Sequence, residues 1–176
     1  MDALRTLLVS FLLATMWSVG IEPAAAASTK SPARRATDAT AEAISRLRTA
    51  QGLSTVTTDP VLVRLARQQA DAMARAATMS HDVGGSFQSR LAAGGVKASR
   101  AAENVGAGQG SLDEILRDWM ASSGHRDNLM MRDATRIGLA RSEGRGGPYW
   151  ALVLASPEPL PRRSEGQAPP GGIGLF

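Results

Sequence analysis

Residues 136–155 read RIGLARSEGRGGPYWALVLA, and this stretch decides the fold. From Arg136 to Ser142 the pattern alternates, with Ile137 and Leu139 turned to one side of an extended chain. Pro148 to Ala155 is apolar on both sides. Between them lies Glu143-Gly144-Arg145-Gly146-Gly147, a connection rich in the residue that turns most freely, so the two segments form an antiparallel hairpin. A strand that is apolar on both faces needs cover above and below. Only helices are available to supply it. The expected architecture is therefore α+β, a three-layer α-β-α sandwich with a central antiparallel sheet.

Upstream of the hairpin the helices announce themselves by spacing and by caps. Thr37 to Gly52 carries Ile44 and Leu47 three apart, with Arg48 near its end and Gly52 as a stop. Asp59-Pro60 opens a second helix: the carboxylate takes free amides, and proline sits where its missing N–H costs nothing. Leu62, Leu65, Ala66, Gln69, Met73 and Ala76 follow at spacings of three and four, which predicts a helix to about Met79. Arg64, Arg67 and Arg75 form its solvated face. Ser86 to Ala93 is a short helix closed by Gly94, and Ala101 to Val105 is a brief extended piece. Ser111 and Glu114 make a capping box before the stripe Leu112, Ile115, Leu116, Trp119. Ser122-Ser123-Gly124 is expected to end that helix, leaving His125 in a loop, as His81 is.

The 176 residues suffice for one ordinary domain, and 43% apolar with 20% charged residues is a globular composition. Cysteine is absent, which removes disulfides, thiolate metal sites and thiol nucleophiles together. With two histidines, a three-histidine metal site is excluded. The net charge of +4 rests on 18 arginines and two lysines, without a dense basic run and with 4% aromatics, so no nucleic-acid partner is expected. Residues 1–27 have a basic start, an apolar run from Leu7 to Ile21 and the small residues Ala24–Ala27, the pattern of an export signal. That run of 15 residues falls short of the roughly 20 a spanning helix needs, and no membrane span is expected in the mature chain. The organisation read from the sequence is a signal peptide over 1–27, a polar lead-in over 28–37, a folded domain over 38–156, and a disordered proline- and glycine-rich tail over 157–176.

Chemistry concentrates at few places. His81, Glu103 and His125 are each separated by 22 residues, a spacing that diagnoses nothing by itself. Two neutral imidazoles and a carboxylate converging on a cleft would suit a divalent cation, zinc first. The alternative is that His125 bonds a helix end and His81 is a plain loop residue. No nucleophile elbow, phosphate loop, dinucleotide fingerprint or H-E-x-x-H helix occurs. Gly124 is expected to give a sharp turn that points His125 to the cleft. Asn128 would hold a loop carbonyl or amide, or fix the His125 ring. Trp119 and Trp150 lie on apolar stripes and are assigned to the core.

The order of these motifs is informative. His81, then Glu103-Asn104-Val105 before glycine-rich sequence, then Trp119-Met120-x-Ser122-x-Gly124-His125-Arg126-x-Asn128-Leu129, then Ile137-Gly138-Leu139 and Tyr149-Trp150, resemble the CAP superfamily. That group comprises the cysteine-rich secretory, antigen 5 and pathogenesis-related proteins, and the likeness is to its bacterial SCP-like branch. The resemblance covers about residues 40–155. It implies the same α-β-α sandwich, secretion or a periplasmic location, and a polar cleft lined by two histidines and two glutamates, where the histidines hold a divalent metal. By position His81 and His125 are the metal histidines and Glu103 the first glutamate, the candidate base. The second glutamate's place is taken by Ser122, which cannot act as a carboxylate; Asp118 and Glu114 are the nearest substitutes on the same helix. The cleft residues are thus Glu103, Ser122 and Asn128.

Three functions follow as expectations: a monomeric, non-enzymatic binding module for an extracellular lipid, glycan, peptide or protein; a metal-dependent hydrolase using the same cleft; or a structural envelope protein. The missing second carboxylate places the binding module first.

Overall fold

A computed structural model describes residues 31–158. The expected signal peptide, the start of the lead-in and the tail beyond Glu158 lie outside the described residues. The chain runs through α1 (Pro32–Thr49), β1 (Thr57–Thr58), α2 (Pro60–Ala76), α3 (Phe87–Ala93), β2 (Ala101–Ala107), α4 (Leu112–Ala121), α5 (Ser123–Leu129), β3 (Arg136–Gly144) and β4 (Gly147–Ala155). The strands lie in the order β1-β3-β4-β2. β3 and β4 form the predicted hairpin, with Leu139 opposite Leu152, and β2 pairs antiparallel with the other side of β4. β1 adds a two-residue parallel edge beside Arg136 and Ile137.

β4 shows why the sheet is covered on both faces. Trp150, Leu152 and Leu154 pack with Ile44 of α1, Ile115 and Trp119 of α4, and Leu129 of α5. The alternate residues Tyr149, Ala151, Val153 and Ala155 pack with Leu62, Leu65, Ala66, Ala70 and Met73 of α2. A period of two therefore sorts one strand's side chains into two separate cores. α2 lies so close to β3 that a Cβ on Gly138 would stand 2.1 Å from the backbone of Leu62 and Val63. Only a residue without a side chain permits that approach.

The caps match the sequence in kind. Asp59 accepts from the amides of Val61 at 2.7 Å and Leu62 at 3.4 Å, and Pro60 opens α2. Ser111 accepts from the Glu114 amide, but the Glu114 carboxylate reaches past Ser111 to the Gly110 amide at 2.8 Å. Other boundaries differ. α1 starts at Pro32, before the expected Thr37. α2 stops at Ala76, because Ala77 takes the left-handed conformation at φ 49° and its amide closes on the last turn, so Met79 lies beyond the helix. α4 does end at Ala121, yet only Ser122 leaves helical geometry, and α5 begins at the next residue.

Candidate functional site

The site forms around β2, which pairs on one side with β4 and leaves its other side at the edge of the sheet. Alternation along β2 gives its residues different duties. Val105 belongs to the α2 core, so Glu103 faces the α2–α3 side. Asn104 and Gly106 face α4 and α5, and a Cβ on Gly106 would collide with Ile115 at 2.4 Å. His81, in the α2–α3 connection, comes to Glu103, with Nδ1 2.9 Å from Oε1. His125 comes from the opposite side of the sheet, its backbone carbonyl accepting from Asn104 Nδ2 at 2.9 Å.

His125 sits within α5, which corrects the expectation of a loop. Gly124 is helical as well and has no positive φ, so it is not the sharp turn; the change of direction falls at Ser122, with φ −90° and ψ 125°. The His125 ring lies 6.4 Å from that of Trp119. Asn128 does hold a carbonyl, though not the one a ring-fixing role requires: Nδ2 donates to the Glu103 carbonyl at 3.2 Å and to Asn104 Oδ1 at 2.9 Å. Asn128 and Asn104 thus chain α5 to β2 and orient the backbone of His125 rather than its imidazole. Trp119 Nε1 donates to the Val105 carbonyl at 3.0 Å, which closes more of the strand edge. Trp119 and Trp150 are both buried, as their stripes require.

The residue that sequence reasoning missed is Arg90. Its guanidinium clamps Glu103 in two bonds, Nη1 to Oε2 at 2.7 Å and Nη2 to Oε1 at 2.9 Å. The same group donates from Nη2 to the His81 carbonyl at 2.9 Å and from Nε to the Gly85 carbonyl at 3.0 Å. The side chains of Arg90 and Glu103 are 5% and 2% exposed, against 50% for His81. One cation therefore holds both the backbone of His81 and the carboxylate that orients its ring. With Nδ1 turned to Glu103, Nε2 is the nitrogen left for a ligand.

His125 is held below the ordinary imidazole pKa, first by burial and second by the nearby charge of His81. A pocket of about 300 Å³ opens beside His125 and wraps the strand edge, with Met79, Val105, Gly106, Ile115 and Trp119 supplying apolar surface and Gln109, Asp118 and Ser122 polarity. Glu114 is spent as a cap, so Asp118 is the carboxylate of α4 that shares the pocket with His125. Among the described residues, no three of His, Cys, Asp or Glu gather to hold a metal. Glu103 is committed to Arg90 and to the His81 ring.

Residues 41–155 match the family profile of CAP, the cysteine-rich secretory protein family. The chain belongs to that family. Its CAP domain is 30% identical over 102 residues to the uncharacterized protein YkwD of Bacillus subtilis, a match that takes in 57% of this chain and 39% of YkwD. The chain thus spans about two-fifths of that relative's length. Among solved structures, an outer surface protein of Borrelia burgdorferi superposes with a TM-score of 0.64 at 19% identity, over 72% of this chain and 96% of the other. An extracellular protein of Bacillus anthracis containing a SCP domain gives 0.61 at 21% identity, over 73% of this chain and 44% of the other. These likenesses establish the CAP α-β-α sandwich. No helix among the described residues is long and apolar enough to cross a membrane.

Proposed function

We propose that this CAP domain is an extracellular binding module. Its ligand site is the pocket beside His125 at the free edge of β2, and the His81–His125 pair is open to a divalent cation, zinc first. The observation that carries the reading is the state of Glu103. A general base needs an acceptor oxygen within reach of the proton it removes. Both Glu103 oxygens accept from Arg90 or His81 instead, and the side chain is almost wholly closed to solvent. Ser122 stands where a second carboxylate would otherwise serve. What remains is an oriented imidazole, a second imidazole biased to its neutral form, and a ligand-sized hollow. The export-like residues 1–27 and the surface or extracellular description of the two bacterial CAP structures support the location.

Zinc titration by calorimetry is expected to give a binding isotherm for the parent and none for His81→Ala/His125→Ala. Folding of the variant should be unchanged, because neither ring is part of the core. Equal heats for the two proteins would remove the metal from the account. Incubation with peptide, ester and glycan panels should yield no chelator-sensitive product, and such a product would replace the binding module by a hydrolase.

A further inference from the structure

The pocket beside His125 is unbalanced in its hydrogen bonding. Asp118 Oδ2 accepts from Gln109 Nε2 at 2.8 Å. This bond sets the carboxamide's orientation, since the reverse would bring two oxygens together. Gln109 Oε1 is thereby turned inward, 3.4 Å from the point a Cβ on Gly106 would occupy, where it is shut off from water and meets no donor. A buried acceptor left in this state is destabilising until a donor reaches it. The indole N–H of Trp119 is already spent on the Val105 carbonyl.

The charges are unbalanced in the same sense. Asp118 is the one acid lining the pocket, and no lysine or arginine lines it. Among the described residues none forms an ion pair with Asp118. Arg117, its neighbour in sequence, turns instead to a separate hollow of about 540 Å³ between α1 and α4. The walls of the His125 pocket are meanwhile apolar at Met79, Ile115 and Trp119.

We propose that this pocket accepts an organic ammonium, a protonated amine on a compact apolar frame, with Asp118 as its counter-charge. The proposal rests on reading the same pocket as the ligand site. An ammonium carries several N–H donors and no acceptor. It satisfies the free oxygen of Asp118, and a small turn of the Gln109 carboxamide brings the orphaned oxygen to a second N–H. A ligand carboxylate or phosphate would meet an unneutralised acid at this position. The apolar walls receive the frame, and a hollow of about 300 Å³ restricts it to a small one.

The experiment is an NMR titration of the Trp119 indole and His125 ring signals with n-butylammonium, butyrate and n-butanol. It is run on the parent and on Asp118→Asn, which keeps an oxygen for Gln109 but loses the charge. Butylammonium should bind the parent at least tenfold more tightly than butyrate or butanol, and Asp118→Asn should lose at least that factor with the spectrum otherwise unchanged. Equal binding of butanol and butylammonium, with no effect of Asp118→Asn, would overturn the ammonium while leaving the pocket as the ligand site. If no probe moves either ring, both the ammonium and the pocket reading fall.

Discussion

Replacing Arg48 by methionine is expected to lower the stability of the domain by about 3–5 kcal/mol, as large an effect as a single side chain outside a disulfide or metal site produces. Arg48 is 0% exposed. Its Nε donates to the Ser54 carbonyl at 2.9 Å, Nη1 to the carbonyls of Leu129 at 2.8 Å and Met131 at 2.9 Å, and Nη2 to that of Ala134 at 3.1 Å. One guanidinium from α1 thus gathers the end of α5 and the turn into β3. Burial pushes its pKa down and the charge of Asp133 partly opposes this, while carbonyl dipoles do the bonding. Methionine fills similar space but leaves four carbonyls without that donor. Arg48→Lys should fall between, because a single ammonium cannot span acceptors on three sides. Urea unfolding measures both, and a loss under about 1 kcal/mol for Arg48→Met would show that water replaces the guanidinium.

Glu103→Ala is the second large change, also about 3–5 kcal/mol, because it leaves the Arg90 guanidinium buried beside an empty space with no counter-charge. Removing both charges should cost far less: Arg90→Met/Glu103→Leu is expected to recover most of the loss. Thermal unfolding of the two variants decides it. A double variant as unstable as Glu103→Ala would mean that the pair contributes packing rather than mutual compensation.

These two arginines mark where the sequence becomes hard to read. The layers were legible because β4 carries apolar residues at every position, and each face found its own helices. The start of α2 was legible because Asp59-Pro60 states its own cap. The CAP motifs brought His81, Glu103 and His125 to one strand. Arg48 reads as a favourable charge near a helix C-terminus, yet it stands four residues after the buried Ile44 and so on the same face, which is the local signal that could have found it. Arg90 offers less. It lies in a helix of seven residues, and its partner is supplied by a strand whose distance in space no local pattern encodes.

Other differences have equally local causes. Ser122-Ser123-Gly124 has the composition of a stop, and a stop occurs, but one extended residue is enough to restart the helix in a new direction and carry His125 into it. β1 is two residues long and has no periodicity to display. The resemblance to the family pattern sets Ser122 at the position of a second glutamate. That the same helix keeps an acid in the pocket at Asp118 depends on how α4 is rotated against Gly106, which only packing determines.

The proposed cation site requires two imidazoles, delivered from opposite faces of the sheet, to meet at the free edge of β2. The pH titration of the His125 ring, followed by NMR in the parent and in His81→Ala, tests this most directly. In the parent the midpoint should lie below 6.5. Because the unfolded chain then takes the proton more readily, His125 should subtract from stability as the pH falls through that value. In His81→Ala the midpoint should rise but stay below 6.5, since burial, the larger cause, remains. A midpoint that ignores the loss of His81 would show that the rings do not share a cleft.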